Sequence, residues 1–463
     1  MGRTKERKLK LKMPDVFVTL TIILLIAAAM TYLIPAGAYD RVPNEAGREI
    51  AIADSFHYIE KQPVAVWQLP KLFVDTVCKN GATLFPLMFI SGGIQVVIAT
   101  GMIHALCRKM TKVFAGKENL FILGFMLIFA LIGITQGPGQ FVGFAQLGAM
   151  IAISFGYDAV IGVSIIMLAM NIGLATGIVE PGTAIAQQIA GLPIYSGMWL
   201  RVVSFVIFLA ITMAYVSVYA KKIKADPTKS YVYGEKGGFQ FDPNSIEVEL
   251  SRRHIGVLIV FVASFLVLVY GCVRYSWSVA NMGVVFLVMG IISGIVYGFG
   301  PSRVAQEYAK GMSNMTPAAI MVGLGLTIGS VLSQAGVLDT VVHASAACLS
   351  YLPRFLMAPA LLVVNSLINF FVISGVGQAS IVMPVMAPLC DIIGISRQIG
   401  VLAFKFGDGF SNSIYPSSSG LLIYLAATGI PYSKWLKYYG KLFCIQTAVG
   451  IAILIFAQII HYT

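Results

Sequence analysis

Charged residues are scarce in this chain of 463 residues: Asp, Glu, Lys and Arg make up 11% of it, and 58% is hydrophobic. Soluble domains typically carry about 25% charged residues, so this composition excludes an ordinary soluble protein. Apolar runs long enough to cross a bilayer recur from "VFVTLTIILLIAAAMTYLI" at 16–34 to "CIQTAVGIAILIFAQII" at 444–460. The sequence therefore predicts an integral membrane protein with many spans.

Motifs of catalysis and of nucleotide binding are missing. The chain contains no G-x-x-x-x-G-K-[ST] phosphate loop, no H-E-x-x-H and no G-x-S-x-G. Its six cysteines show no C-x-x-C or histidine spacing and therefore indicate neither a metal nor a redox motif. These absences disfavour an ATP-driven pump and an intramembrane enzyme. We expect no catalytic residues and no cofactor, apart from a coupling Na⁺ or H⁺.

The net charge of +12 is explained by the positive-inside rule, and we expect no nucleic acid partner. The first apolar run follows a basic segment but lacks a small-x-small cleavage site, so we interpret it as a retained helix. We predict a multi-pass protein of the bacterial plasma (cytoplasmic) membrane, with the N-terminus in the cytoplasm and the C-terminus outside. This topology collects 22 of the 32 Lys and Arg residues in the cytoplasmic segments, which are the N-terminus, 108–118, 221–254, 300–313 and 434–441.

One short phrase occurs twice inside long apolar stretches. "GITQGPGQF" at 133–141 and "VISGVGQAS" at 372–380 both contain Gly-x-Gly-Gln, which begins at Gly137 in the first and at Gly375 in the second. We call the separation of these two glycines the repeat offset. The strings "AGLPIYSGMW" and "TGIPYSKW" keep it, since Gly429 follows Gly191 at the same distance along the chain. This offset predicts two copies of one structural pattern, at about 80–220 and about 312–461.

Each copy is predicted to contain one span, a short amphipathic segment, a hairpin folded at Gly-x-Gly-Gln, a helix interrupted by polar residues, and a final span. An odd number of crossings between the copies would invert the second. We predict an all-α polytopic membrane protein with two inverted repeats and about nine transmembrane helices, plus re-entrant hairpins at about 120–155 and 355–391. The predicted divisions are 1–79 (N-terminal helix and extracytoplasmic segment), 80–220 (first repeat), 221–311 (cytoplasmic loop and two linking helices) and 312–463 (second repeat).

The interrupted helices are "NIGLATGIVEPGTA" at 171–184 and "KFGDGFSNSIYPSSSG" at 405–420. Polar groups at bilayer depth are tolerated only inside protein or beside a water-filled cavity, so these stretches are predicted to line a site. Pro181 and Pro416 are expected to open the second half of each helix, where a missing N–H costs nothing. Left-handed turns at the end of the first halves are common, and the glycines that suit them are Gly173, Gly407 and Gly409.

The candidate binding residues come from the hairpin phrases and the interruptions. Half-helix N-termini offer N–H groups to an anion. In the hairpins, glycine lets the backbone turn and approach a ligand, and glutamine both donates and accepts hydrogen bonds; for Gln140 and Gln378 the alternative is bracing of the hairpin. The substrate-binding candidates are Gly137, Gly139, Gln140, Asn171, Thr176, Gly375, Gly377, Gln378, Asp408, Ser411, Asn412, Ser413, Ser417 and Ser418. No metal ligands are assigned.

Two carboxylates are candidates for ion coupling. An isolated carboxylate at the bilayer centre costs about 3 kcal/mol or more. Asp408, in the polar interruption, is therefore expected to coordinate a cation, carry a proton or bind a substrate amine; the alternative is a salt bridge to Lys405. Glu180 is taken as the corresponding acid of the first repeat, with an ordinary helix-start carboxylate as its alternative.

The paired Gly-x-Gly-Gln hairpins, "GDGFSNSIYPSSSG" and the opening "MPDVFVTLTIILLIAAAMTYLIPAGAYDR" resemble the YfcC-type branch of the C4-dicarboxylate anaerobic carrier (DcuC-like) family, within the ion transporter superfamily. The resemblance implies an elevator-type secondary transporter in which hairpins and broken helices move against a scaffold, usually as a homodimer. Names within the family imply C4-dicarboxylates, arginine or ornithine, short-chain fatty acids and peptides. Sodium-symporter relatives carry Ser-Asn-Thr at equivalent hairpin tips, where this chain carries Gly-x-Gly-Gln.

These observations predict a secondary active transporter, not an enzyme. Its expected substrate is a small carboxylate-bearing metabolite, such as a C4-dicarboxylate or an amino acid, carried by ion-coupled symport or by exchange. A basic amino acid exchanger, a short-peptide carrier and a channel remain open as alternatives. The expected partners are the small-molecule substrate, the lipid bilayer and a second copy of the chain.

Overall fold

The computed structural model describes residues 16–43, 49–52, 55–235, 250–275, 277–349, 352–392 and 394–463. Helices dominate this part of the chain. Their bounds are α1 Val16–Leu33, α2 Leu69–Lys79, α3 Gly81–Ala99, α4 Met102–Val113, α5 Glu118–Gly133, α6 Ala145–Ser154, α7 Ala159–Val163, α8 Ala169–Thr176, α9 Pro181–Ile189, α10 Met198–Ala225, α11 Arg252–Tyr275, α12 Val279–Tyr297, α13 Pro301–Gln334, α14 Val337–Leu349, α15 Arg354–Asn369, α16 Gly375–Ile392, α17 Arg397–Ser411, α18 Ser419–Ala427 and α19 Tyr432–Ile459. A π-helical turn, Ser164–Leu168, joins α7 to α8, and a 3₁₀ segment, Pro138–Phe144, precedes α6.

Seven helices in the described ranges are long and apolar enough to cross a membrane, or up to eight if one bent pair, Val66–Lys79 with Leu84–Ala99, forms a single span. The multi-pass prediction is therefore confirmed. The seven include α16, which is one arm of a helical hairpin, and several apolar helices of 10–17 residues fall below this length. The count of nine spans and two hairpins stays a prediction.

The extracytoplasmic segment predicted after α1 contains short strands, which the all-α prediction did not include. Strand β1 (Gly37–Ala38) pairs antiparallel with β4 (His57–Tyr58), and β2 (Arg41–Pro43) pairs antiparallel with β3 (Glu49–Ala51). Side chains from these strands and their connections contact α14. Arg41 forms a two-pronged ion pair with Asp339, at 2.7 and 2.9 Å, and Phe56 stacks on His343 at 3.9 Å between ring centroids. These contacts fix a polar segment that is too short to form its own core.

The same order of elements occurs twice. A long helix (α3, α13) is followed by a short one (α4, α14), a helical hairpin (α5–α6, α15–α16), an interrupted helix (α7–α8 with α9, α17 with α18) and a long final helix (α10, α19). Left-handed glycines recur at the repeat offset, with Gly156 matched by Gly394 and Gly191 by Gly429. This agreement supports the repeat read from the sequence.

The interrupted helices pack against each other and against the hairpins through small residues. Helix α8 contacts α5 and α17, and α17 also contacts α15. An added Cβ at Gly173 would lie 2.3 Å from the backbone of Gly133, and one at Gly409 would lie 2.3 Å from Ala175 Cα. Residues without bulky side chains let helix backbones approach this closely in membranes. The interrupted helices are therefore held against their neighbours along their length, which positions the two breaks.

The predicted role of Gly173, Gly407 and Gly409 as left-handed helix ends is wrong. Gly173 lies inside α8, and the other two lie inside α17. Each is required by a close helix contact: a Cβ at Gly407 would meet Asn365 and Ser366 at 2.8 Å. The left-handed residue at the first break is Gly177, with φ +59°.

Candidate functional site

The first break separates α8 from α9. The left-handed Gly177 ends α8, and Pro181 occupies the first turn of α9, as the sequence predicts. Glu180 is the N-cap of α9, and its side-chain carboxylate accepts a hydrogen bond from the Thr183 N–H at 2.9 Å. An acidic cap is favoured here by the positive end of the helix dipole.

The second break separates α17 from α18 and is longer, from 412 to 418. Its cap is Ser418, whose hydroxyl accepts from the Leu421 N–H at 3.4 Å. The prediction that Pro416 opens the second half is wrong: Pro416 lies within the break, ahead of Ser419, the first residue of α18. The N-cap bond of Ser418 places the helix start later than proline chemistry alone suggests.

A buried ion cluster connects the two interrupted helices. The Lys405 ammonium lies 3.0 Å from Glu180 Oε2 and 2.9 Å from Asp408 Oδ2, and its side chain is fully buried. The ion pair considered as the alternative for Asp408 is thus present, and Lys405 also reaches the other helix. Asp408 lies inside α17 rather than in the polar break. Two carboxylates and one ammonium leave the cluster with a net charge of −1 when all three are ionised.

Amide side chains surround the second break. Asn369 Nδ2 donates to Asp408 O, to Ser411 Oγ and to Asn412 Oδ1 at 2.7–3.1 Å, and Asn412 Nδ2 donates to Asp408 Oδ1 at 3.0 Å. Gln378 Nε2 donates to the carbonyl oxygen of Asn365 at 2.8 Å, which braces the two arms of the second hairpin. These bonds satisfy backbone and side-chain groups that the irregular chain leaves in a low-dielectric region.

Several buried amide oxygens have no hydrogen-bond partner among the described residues. Four of them belong to residues of the second hairpin and the interrupted helices, namely Asn171, Asn365, Asn369 and Gln378. A buried acceptor without a partner costs about 1–3 kcal/mol, so such atoms point to a missing donor or cation. Because these four oxygens lie close together, we take this region as the candidate site.

A small cavity lies between the hairpin tips and the breaks. Its volume is about 130 Å³, about four times the share of one water molecule in the liquid. The residues that line it are Pro138, Gly139, Met167, Asn171, Leu174, Ile373, Asn412, Ser418, Gly420 and Leu421. It therefore brings together both hairpin tips, the first half of one interrupted helix, and the break and second half of the other.

A hydroxyl group holds each hairpin tip. Tyr424, on α18, donates to the carbonyl oxygen of Pro138 in the first tip at 3.0 Å. Ser417, in the second break, donates to the carbonyl oxygen of Phe370 in the second tip at 2.8 Å. We call these two hydrogen bonds the latches. Both come from the second interrupted helix, and they hold the two tips next to the cavity.

The tip glycines do not form left-handed turns, contrary to the expectation that glycine is needed there for turning. Gly137, Gly139, Gly375 and Gly377 all lie outside the left-handed region. Gly375 is instead required by proximity, because a Cβ there would lie 2.8 Å from a carboxylate oxygen of Asp408. A Cβ at Gly139 would meet nothing within 4 Å, which is consistent with its position on the cavity wall.

The fourteen substrate-binding candidates differ in where the structure places them. Four line the cavity: Gly139, Asn171, Asn412 and Ser418. Others make internal hydrogen bonds: Thr176 and Ser411 donate to helix carbonyls, and Ser413 accepts from Asn171. Gly137 caps the 3₁₀ segment of the first tip. The side chain of Gln140 lies outside the described residues.

Sequence reasoning missed part of the polar network. Asn365 and Asn369 stand one helical turn apart in the apolar string "LLVVNSLINFF", and this i, i+4 spacing could have identified them. Arg201 is fully buried on α10 and donates to Gly177 O at 3.3 Å and to Gln398 Oε1 at 2.9 Å. Within the described ranges, no group of three His, Cys, Asp or Glu side chains is placed to hold a metal ion.

Comparison with known proteins identifies related carriers. The family model described as C4-dicarboxylate anaerobic carrier (DcuC) matches residues 13–459. The "Putative basic amino acid antiporter YfcC" of Escherichia coli (strain K12) is 30% identical over 494 residues, covering 97% of each chain. An uncharacterized protein of Haemophilus influenzae (strain ATCC 51907 / DSM 11121 / KW20 / Rd) is 25% identical over 512 residues, covering 100% of each. These matches confirm the resemblance inferred from the sequence.

Two solved structures are also similar at low identity. One is MtrF of Neisseria gonorrhoeae, whose structure is described as illuminating a class of antimetabolite efflux pumps. It is 14% identical, covers 97% of this chain and 96% of that chain, and has a TM-score of 0.41. The YdaH transporter of Alcanivorax borkumensis is 14% identical, with coverage of 95% and 98% and a TM-score of 0.41.

Proposed function

This chain belongs to the C4-dicarboxylate anaerobic carrier family, and on this premise we propose that it is a secondary active transporter of a small carboxylate-bearing metabolite. It works as an ion-coupled symporter or as an exchanger in the bacterial cytoplasmic membrane. The observation that carries the proposal is the cavity of about 130 Å³ between two hairpin tips and an interrupted helix. Interrupted helices offer backbone groups to a substrate in the middle of a membrane protein.

The ion cluster is the coupling element in this proposal. Glu180, Lys405 and Asp408 carry a net charge of −1 when ionised, and they are buried. A proton or a monovalent cation that travels with the substrate neutralises this charge in one step of the cycle. Transport then depends on Asp408 and Glu180 even though Lys405 pairs with both of them.

A basic amino acid exchanger is the second candidate. The name of the Escherichia coli relative designates a basic amino acid antiporter, and the net negative charge of the cluster favours a substrate that carries an additional positive group. The first candidate places a carboxylate at a half-helix N-terminus, and the second adds an ammonium or guanidinium group near the cluster. Both use the same cavity.

The substrate class is tested by a thermal-shift screen of the purified protein. Dicarboxylates, amino acids and dipeptides are compared, each with and without sodium. A dicarboxylate that raises the melting temperature supports the first candidate, whereas stabilisation by arginine or ornithine alone supports the second. Absence of stabilisation by every compound in both salts would count against a carboxylate-binding carrier.

We further propose an elevator mechanism with inverted repeats, nine spans and a homodimer. The hairpins and interrupted helices move as one body past a scaffold that includes α12 and α13. A cysteine replacing Gly139, in a background without the six native cysteines, is crosslinked to positions in 279–299. Crosslinks at two scaffold depths, selected by the direction of the substrate gradient, are expected; one depth under all conditions would favour local hairpin gating.

A further inference from the structure

The two interrupted helices present equivalent N-termini that carry different caps. Glu180 caps α9, and Ser418, one repeat offset later, caps α18. The two helices are equal in length, and each cap accepts a bond from the N–H three residues on. The first-turn N–H groups of a helix lack intrahelical partners and attract an anion. The repeat therefore contains two equivalent positions for a carboxylate.

The first position is already filled by the chain itself. The Glu180 carboxylate accepts from Thr183 N, and a Cβ at Gly182 would lie 2.9 and 3.0 Å from its two oxygens, so it lies directly over the first turn of α9. Its counter-ion, Lys405, approaches to 3.0 Å from the opposite repeat. A carboxylate with a helix N-terminus on one side and an ammonium on the other needs no external ligand.

The second position is open. The repeat offset matches Lys405 with Met167, and Met167 and Ser418 both line the cavity together with Gly420 from the first turn of α18. At the second position, the Met167 thioether corresponds to the Lys405 ammonium, and the Ser418 hydroxyl corresponds to the Glu180 carboxylate. Asn171 also lines this cavity; it is 3% exposed, and its Oδ1 has no partner among the described residues.

We propose that the Glu180 carboxylate, with Lys405 as its counter-ion, permanently occupies the first position. The single carboxylate of the substrate then binds at the second position, over the N-terminus of α18. Asn171 Oδ1 accepts a hydrogen bond from an ammonium, amide or hydroxyl group of the same substrate. This inference rests on the proposed transport function and narrows its substrate class to monocarboxylates that carry a donor, such as α-amino acids. A second carboxylate would approach Asp408, whose Oδ1 accepts from the cavity-lining Asn412, and would be repelled by its like charge.

The test exchanges the two caps and uses acetate as the probe. Glu180→Ser gives α9 the serine cap of α18 and removes the carboxylate from the first position. Ser418→Glu gives α18 the glutamate cap of α9 and adds a carboxylate at the second position. Ser278→Glu is the control, because it adds the same charge at the exposed N-cap of α12, which does not line the cavity. Melting temperatures of the purified full-length proteins are measured in sodium acetate and in sodium chloride of equal ionic strength.

The acetate-dependent rise in melting temperature should be larger in Glu180→Ser than in the wild type, absent in Ser418→Glu and retained in Ser278→Glu. If Ser418→Glu does not fold, the shorter Ser418→Asp takes its place, and the Glu180→Ser comparison stands independently. Equal acetate dependence in the wild type and Glu180→Ser would overturn the inference. An unchanged rise in melting temperature in folded Ser418→Glu, or in Ser418→Asp where that variant takes its place, would also overturn it. Failure of the wild type to transport any substrate would instead count against the proposed function and leave the acetate comparison valid.

Discussion

Lys405 of one interrupted helix lies 3.0 Å from the carboxylate of Glu180, the cap of the other. The two residues belong to different repeats, and their pair joins the repeats at the level of the breaks. Because the Lys405 side chain is fully buried and also pairs with Asp408, this contact is a structural connection as well as a candidate coupling element.

Lys405→Met is expected to destabilise the protein strongly, because it leaves two buried carboxylates without their cation. Breaking a buried ion pair from one side costs about 3–5 kcal/mol. Thermal unfolding of the purified variant measures the effect, and adding Glu180→Gln should restore part of it. The matched control is Lys434→Met, whose pair with Glu235 is about one-third exposed and contributes about 0–1 kcal/mol. Equal losses in the two lysine variants would contradict the account.

Asp408→Asn is expected to give a folded, membrane-inserted protein whose transport is reduced at least tenfold or whose cation dependence is altered. The amide keeps the size of the side chain and its contact with Asn412, at 3.0 Å in the native chain, but removes one charge from the ion cluster. Initial uptake rates at several sodium concentrations and pH values provide the measurement. Wild-type rates and cation dependence would assign Asp408 a structural role alone.

Gly409→Ala is expected to destabilise the protein by about 1–3 kcal/mol, the usual range for overpacking. The new methyl group would lie 2.3 Å from the Cα atom of Ala175, so α8 and α17 would have to separate. Gly139→Ala is the control, because a Cβ there meets nothing within 4 Å. Thermal unfolding of both variants compares them; a similar melting temperature for both would show that the contact between the helices is not tight.

Tyr424→Phe is expected to loosen the first hairpin tip by removing its bond to Pro138 O. One hydrogen bond contributes about 1 kcal/mol, which corresponds to about a fivefold change in an opening equilibrium. A cysteine at Gly139, in the cysteine-free background, should react about fivefold faster with a polar thiol reagent. Ser417→Ala removes the other latch and serves as the control; an equal acceleration by both variants would indicate that the tips do not open separately.

The repeated pattern was predictable from sequence because it depends on local chemistry. Gly-x-Gly-Gln marked both hairpins, and Pro181 marked the start of α9, since a proline in the first turn requires no partner. The same rule gave the wrong start for α18, because the N-cap bond of Ser418 decides that boundary. Local rules of this kind find the elements and miss some of their ends.

The contacts between repeats were not predictable in the same way. The sequence alone suggests a helix end at Gly409, but this residue is small because Ala175 of the other repeat lies against it. Glu180 and Asp408 are equivalent acids in the sequence-based prediction, whereas the repeat offset matches Glu180 with Ser418, and Lys405 is the link between the two acids. Such relationships depend on how α8 and α17 cross, which a single sequence does not specify.

Counterflow in proteoliposomes tests most directly the claim that this chain is a carrier with its site at the hairpin tips. Vesicles loaded with an unlabelled substrate from the thermal-shift screen are diluted into a trace of the labelled compound, without an ion gradient. The wild type should accumulate label transiently above equilibrium. Gly139→Phe, which fills the cavity, should abolish this accumulation, and the same substitution at Gly124, where a Cβ also meets nothing within 4 Å, should not. Label that only equilibrates in the wild type, or an equal overshoot in Gly139→Phe, would contradict the account.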